Sequence, residues 1–175
     1  MIELRRPRPE DGDAFLEARA AVPADNPTFL RDYRQGMAFA EFLRLLEAHR
    51  TGRGLPPDVS PSSFLFAFEY GRIVGRASIR HALVPPLGEV AGHIGYAVLP
   101  AFRNRGYATQ ILRMAVGFAH AKLGLDRVLV TCDDDNAASI RVIEKNQGVF
   151  ADTCQDPASH RAKRRYWIDV AGNAG

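Results

Sequence analysis

The sequence predicts an α/β (α+β) domain in which a mixed sheet carries packed helices. Three observations predict it. Two apolar runs meet at Gly71 and read as a hairpin, a strand–helix–strand pattern spans 90–132, and a further helix and two strands complete the chain. Composition agrees, since 46% hydrophobic and 25% charged residues are close to globular averages and argue against wholesale disorder. At 175 residues the chain suits one domain that buries roughly 70% of its unfolded surface, enough for a core without staples. No run of ~18 apolar residues and no apolar leader after MIELRRPRPE are present, so neither a membrane span nor a secretory signal is expected. Cys132 and Cys154 make no disulfide framework, and a cytoplasmic setting is the expectation. A net charge of +3 suits an anionic ligand but is too weak to indicate nucleic acid.

Residues 2–6 read as a first strand. Pro9 opens a helix over 9–20, with Glu10, Asp11 and Asp13 at the end where the helix dipole favours acids. Pro23, Pro27 and Gly36 make 23–36 a loop. Apolar residues from Met37 to Leu46 recur at helical spacing over 37–49, and the Gly- and Pro-rich stretch 51–63 is a second loop. The hairpin follows as 64–70 and 72–83, then a strand over 90–100 that ends at Pro100. Over 106–122, Ala108, Ile111, Leu112, Ala115, Phe118 and Ala119 share one helical face. The nearly all-apolar 127–132 is a strand covered on both sides, Asn136 is a candidate cap for a helix over 137–146, and strands at 149–153 and 164–170 end the domain.

The segment HIGYAVLPAFRNRGYATQIL (93–112) carries the chemistry. A strand, a basic turn and a helix beginning near Gly106 follow one another. The free amides and partial positive charge of a helix N-terminus suit a phosphate or pyrophosphate. Gly106 removes a side chain where an anion must approach, Ala108 keeps the second turn small, and Arg103 and Arg105 add charge. An ordinary strand–turn–helix with a solvated basic corner would show the same short pattern.

Arg103-x-x-Gly106-x-Ala108 after a strand, followed by a second strand and Asn136-x-x-Ser139, resembles the GNAT superfamily of acyl-CoA-dependent N-acyltransferases. DDDNAASIRVIEKNQGVF (133–150) is similar to that family's companion block. The resemblance covers 64–153 well and the first 60 residues loosely. RHALVPPLGEVAGHIGYAV, TCDDDN and RRYWI are similar to a little-described branch of predicted bacterial acetyltransferases.

The resemblance implies a mostly antiparallel, twisted sheet of six to seven strands with helices on both faces. It implies a V-shaped split between the strands at 93–99 and 127–132, with a bulge near Ala97–Val98. It divides one domain, 1–175, into an acceptor portion (1–63), an acyl-CoA core (64–153) and a C-terminal strand and tail (154–175). Acetyl-CoA is the implied co-substrate, with no metal. Val98 would donate to the thioester carbonyl. Leu99 would belong to the cofactor-binding set along the gap for the pantetheine arm, and the backbone amides of Arg103, Asn104, Arg105, Gly106, Tyr107, Ala108 and Thr109 would take the pyrophosphate. Asn136 would contact the cofactor, and Ser139 is either a second contact or simply a small helical residue.

The implied reaction is direct attack of a primary amine, small-molecule or peptide, on acetyl-CoA in a ternary complex. The family often uses a Tyr as acid on the helix after the Asn, but the matching residue here is Ile143. Tyr166 is then the candidate acid if its strand borders the cleft, with Cys132 and Tyr96 behind it. For the base, His93 and Asp133 rank first and His81 third. Each also has a bland reading: His93 as a buried residue bonded to backbone, Asp133–Asp135 as a turn cluster, His81 as structural or solvent-exposed. Phe29, Tyr33, Phe39 and Phe42 either line the acceptor pocket or belong to the core. A non-catalytic acyl-CoA sensor is the alternative function. The basic run HRAKRR (160–165) raises a nucleic-acid module, disfavoured because no aromatic platform is interleaved with it. A membrane partner is not expected, and a homodimer is compatible with the resemblance.

Overall fold

The run SSFLFAFE decides how the layers form. In the computed structural model, which describes residues 2–23, 27–85 and 87–170, it is a strand. Phe64, Phe66 and Phe68 project to one side of the sheet and Leu65 and Ala67 to the other, and all five are buried. The chain runs β1 (Glu3–Arg5), α1 (Gly12–Ala21), α2 (Phe39–Thr51), β2 (Ser62–Glu69), β3 (Arg72–Arg80), α3 (Leu87–Ala91), β4 (Ile94–Val98), α4 (Tyr107–Leu123), β5 (Arg127–Asp133), α5 (Ala137–Lys145), β6 (Val149–Gln155) and β7 (Ala162–Asp169). The seven strands form one sheet in the order β1-β2-β3-β4-β5-β7-β6, antiparallel throughout except where β4 lies parallel to β5. That parallel pair needs a crossover, and α4 supplies it.

Two cores result, one on each face. Phe64, Phe66 and Phe68 join Phe15, Phe29 and Phe42 beneath α1 and α2, and Leu65, Val74, Ala77 and Ile79 join Ile111, Leu112 and Ala115 beneath α4. The first core is aromatic and interlocked: Phe64 and Phe66 meet edge-on at 5.2 Å, and Phe15 stacks on Phe39 at 4.6 Å. Phe29, Tyr33, Phe39 and Phe42 therefore belong to this core rather than to a pocket wall. Phe66→Ala should cost ~3–5 kcal/mol of stability, the range for a buried aromatic replaced by a cavity. Urea unfolding of the variant checks this, and a loss below ~1 kcal/mol would contradict so dense a cluster.

Several elements differ from expectation. The strand expected over 90–100 is the helix α3, a turn at Gly92 and the five-residue β4, because an apolar run of this length does not by itself separate helix from strand. Helix 9–20 starts as a 3₁₀ turn over Pro9–Asp11, and the loop 23–36 contains another over Pro27–Leu30. Residues 24–26 of that loop and 171–175 of the tail lie outside the described residues. The bulge expected near Ala97–Val98 is absent from the β3–β4 ladder, which keeps an unbroken register from Gly75↔Val98 to Ile79↔Ile94. Among the described residues no helix is long and apolar enough to cross a membrane.

Candidate active site

The centre of the sheet opens where β4 meets β5. Their pairing is confined to Ile94↔Val130, whereas β5 pairs with β7 over its whole length. Beyond that bridge the two strands diverge. On β4 the odd residues bond toward β3: the His93 carbonyl accepts from the Arg80 amide at 2.8 Å, and the Leu99 amide donates to the Val74 carbonyl at 3.0 Å. The alternation of an antiparallel ladder turns the Val98 N–H the other way, into the gap left by β5. The freed donor comes from divergence rather than from a bulge.

His93 pins the closed end of the gap. It is 6% exposed, its amide donates to the Leu129 carbonyl at 2.7 Å, and its ring Nδ1 accepts from the Leu129 amide at 2.9 Å. Gly92 beside it has φ +66°, and a Cβ there would lie 2.7 Å from the Leu129 carbonyl oxygen, so the close approach requires glycine. With Nδ1 accepting, the neutral ring carries its proton on Nε2 and keeps no lone pair for a substrate. His93 thus serves as a strand clamp and not as the expected base. Burial, then the Arg80 charge, push its pKa below the ordinary value. The unfolded chain therefore binds this proton more readily. The stability tied to the neutral ring is complete above pH ~6.5 and is lost as pH falls through the depressed folded value. His93→Gln should flatten the fall in urea stability as pH drops below ~6.5. An unchanged slope would remove His93 as its source.

Next to the open end lies a groove of about 380 Å³, lined by Val98, the turn residues Phe102–Asn104, Gly106–Thr109 of the first turn of α4, and α5. Gly106 caps α4 with φ +78°, a left-handed conformation that a side chain resists, and no atom lies within 4 Å of where its Cβ would be. Amides of the first helical turn have no intrahelical acceptor and point into this open space. Tyr107 turns its ring away, donating its hydroxyl to Glu69, so its backbone alone serves the groove. Arg103 reaches back to the Val98 carbonyl at 3.4 Å and joins strand end to turn.

Val98, Arg103, Asn104, Gly106, Tyr107, Ala108 and Thr109 are thus brought together as the sequence implies. Leu99 is not. It is 1% exposed within the aromatic core on the opposite face, so it cannot line a ligand arm. Arg105 is exposed beside the groove, with its guanidinium 5.7 Å from the Phe102 ring. Asn136 stands outside the groove lining: its side-chain oxygen accepts the Ser139 amide at 3.0 Å and caps α5. Asn136→Ala should cost ~1 kcal/mol in urea unfolding, the usual loss for such a cap.

The α5 wall was not anticipated. Ala138, Arg141, Val142 and Lys145 fall at i, i+3, i+4 and i+7 and so share the face that closes the groove, adding two cations. Asn146, fully buried, fixes that face: its side-chain nitrogen donates to Val142 at 2.8 Å and to Thr109 of α4 at 3.3 Å. The helical spacing was the available signal.

Tyr96 links β4 to α5. From β4 its hydroxyl reaches the Ser139 carbonyl on α5 at 3.4 Å, and burial pushes its pKa up to about 12, so it stays protonated at neutral pH. Tyr166 fails the condition set for it. Its strand borders β5 on the side away from β4, and the ring is 2% exposed against Phe150. Ile143 is fully buried core. Cys132 is buried and its thiol is pushed up to about 11 by burial, which keeps it un-ionised. His81 bonds Ser63 Oγ at 2.9 Å.

Asp133 is committed to cations, one oxygen to Lys163 at 2.7 Å and the other to Arg161 at 2.9 Å. Arg161 also holds Asp135, Arg164 holds Asp134 and Arg165 holds Asp152. Every Lys and Arg of the HRAKRR run is therefore paired with an aspartate, which explains both the Asp133–Asp135 cluster and why this run offers no free basic patch.

The sequence matches the model of the Acetyltransferase (GNAT) domain over residues 2–149, and the chain belongs to this family. A curated relative, the uncharacterized N-acetyltransferase YnaD of Bacillus subtilis (strain 168), is 31% identical over 58 residues. That match spans 33% of this chain and 34% of YnaD. Two solved structures share the fold. A crystal structure described as a probable acetyltransferase superposes with a TM-score of 0.70 at 16% identity, over 98% of this chain and 94% of that one. The spermidine N-acetyltransferase from Vibrio cholerae in complex with CoA and spermine gives 0.67 at 12% identity, over 99% and 98%.

Proposed function

We propose that the protein transfers an acetyl group from acetyl-CoA to a primary amine by direct attack, with both substrates bound at once. The observation that carries this reading is the juxtaposition of the split β4–β5 pair with the amide-rich, cationic start of α4. The first-turn amides of α4 with Arg103, Arg141 and Lys145 fit a pyrophosphate, and the open space at Gly106 lets it reach the backbone. Acetyl-CoA supplies an acyl group activated as a thioester.

The chain supplies the rest. The Val98 N–H faces the gap as a fixed donor for a carbonyl oxygen that gains negative charge, and such preorganised donors lower barriers by ~3–4 kcal/mol. Tyr96, two residues before Val98 on β4, holds its proton on Oη and is the residue we assign to protonate a departing thiolate, while the proton that the attacking amine loses passes to solvent. Asp133, with both oxygens held by cations, anchors the end of β5 against β7 rather than accepting a proton.

A thiol-release assay with acetyl-CoA against amino acids, polyamines, aminoglycosides and peptides tests the reading, together with calorimetry of CoA binding. Uptake of CoA and turnover with at least one amine class are expected. CoA uptake without turnover on any amine would identify a sensor instead.

A further inference from the structure

On the face of the sheet opposite α4 lies a second pocket, of about 230 Å³, walled by Arg31, Asp32, His49, Asp58 and Arg80 together with the loop 55–62. β3 alternates, so Gly75, Ala77 and Ile79 face α4 while Arg76, Ser78 and Arg80 face α1 and α2. By register Arg76 stands beside Ala97, toward the open end of the split, and Arg80 beside His93, at its closed end.

The arginines are notable for their partners. Arg76, 9% exposed, donates to the carbonyl oxygens of Gly95 (3.2 Å) and Thr28 (3.1 Å), and its Nε has no hydrogen-bond partner. Arg80 donates to the carbonyl oxygen of Gly92 at 3.0 Å. Among the described residues neither forms an ion pair. Burial, and next the charge of Arg31, push each down to about 10, and the acceptors that these two guanidiniums bond are neutral carbonyls. Burying cations without an anion is costly. Asp32 does not supply it, being engaged at 3.9 Å by Arg31 and at 3.6 Å by His49.

We propose that the acceptor amine is a small molecule bearing an oxyanion group, a carboxylate or a phosphate, which Arg31 and Arg80 bind in this pocket. The proposal rests on the acetyl-transfer reading and names its acceptor class. Size agrees, because the pocket is smaller than the ~300–1,000 Å³ typical for drug-sized ligands. Charge sign agrees as well. Asp58 lines the same pocket, so its walls offer both signs, as suits a molecule with one ammonium and one oxyanion. A polyamine, carrying only cations, would set an ammonium against the Arg31 and Arg80 guanidiniums instead.

The test compares matched acceptors by thiol release: each amino acid against its carboxamide, 2-aminoethyl phosphate against ethanolamine, and spermidine. The oxyanion member of at least one pair should show a kcat/KM at least ~10-fold above its neutral mate, one decade being ~1.4 kcal/mol of recognition. The pair with the larger ratio separates carboxylate from phosphate. Arg31→Gln, at a half-exposed residue that should still fold, is expected to raise KM for the anionic acceptor and shrink that ratio below threefold, with CoA affinity unchanged. A second readout needs no turnover. Inorganic phosphate and the amino acids are added to protein saturated with CoA, and at least one should raise the melting temperature of the wild type but not of Arg31→Gln. That rise without any thiol release would sustain the anion pocket and sink acetyl transfer. Equal rates within every pair, preference for spermidine, or identical shifts in wild type and variant would overturn the proposal.

Discussion

Gly106→Glu should abolish measurable CoA uptake, raising Kd at least ~100-fold, or ~2.7 kcal/mol. Two effects add. Glycine holds φ +78° as the cap of α4, and a side chain there costs ~1–2 kcal/mol or forces the turn to shift. The new carboxylate would also stand at the helix N-terminus that otherwise attracts an anion, within the groove. Calorimetry with CoA checks the prediction, with circular dichroism and a melting curve to show that the fold survives. The open surroundings of Gly106 make survival the expected outcome, since no atom lies within 4 Å of the added Cβ. A Kd within threefold of the wild type would remove the α4 corner from CoA binding, and the functional reading with it.

Tyr96→Phe should lower kcat ~100-fold, the lower bound for losing a positioned general acid, while KM for acetyl-CoA changes little. The hydroxyl is the only atom deleted. Its present bond to the Ser139 carbonyl, at 3.4 Å, is long and weak, so the ring should keep its place and stability should fall by less than ~1.5 kcal/mol. Because burial holds the phenol near 12, the wild-type rate should not decline through loss of this proton below pH ~10. An unchanged kcat in the variant would show that the thiolate departs without help from Tyr96.

The fold was legible where local pattern and burial agree. FLFAF alternates along β2, and the apolar stripe from Ala108 to Ala119 follows α4, so strand and helix are each written in their own period. The basic turn from Arg103 to Thr109 was legible for a different reason: its function depends on backbone amides and a glycine, which a linear motif records directly. Roles fixed by partners distant in sequence were not legible. His93 looks like a base until Leu129, 36 positions away, is seen to donate to its ring. Asp133 looks free until β7 brings Lys163 and Arg161 beside it. Tyr96 does not stand out in the sequence because its partner, Ser139, lies 43 positions away on α5. α3 was missed since five residues of helix leave no periodic trace before the strand that follows.

The single bridge between Ile94 and Val130 has a mechanical consequence. Four strands lie on one side of it and three on the other, so the sheet is two groups of strands joined along a narrow seam. His93 at the closed end, Asn146 bridging α4 and α5 above, and the core beneath α4 tie the two sides together. A ligand that wedges these strands apart at the open end breaks few strand-to-strand bonds in doing so.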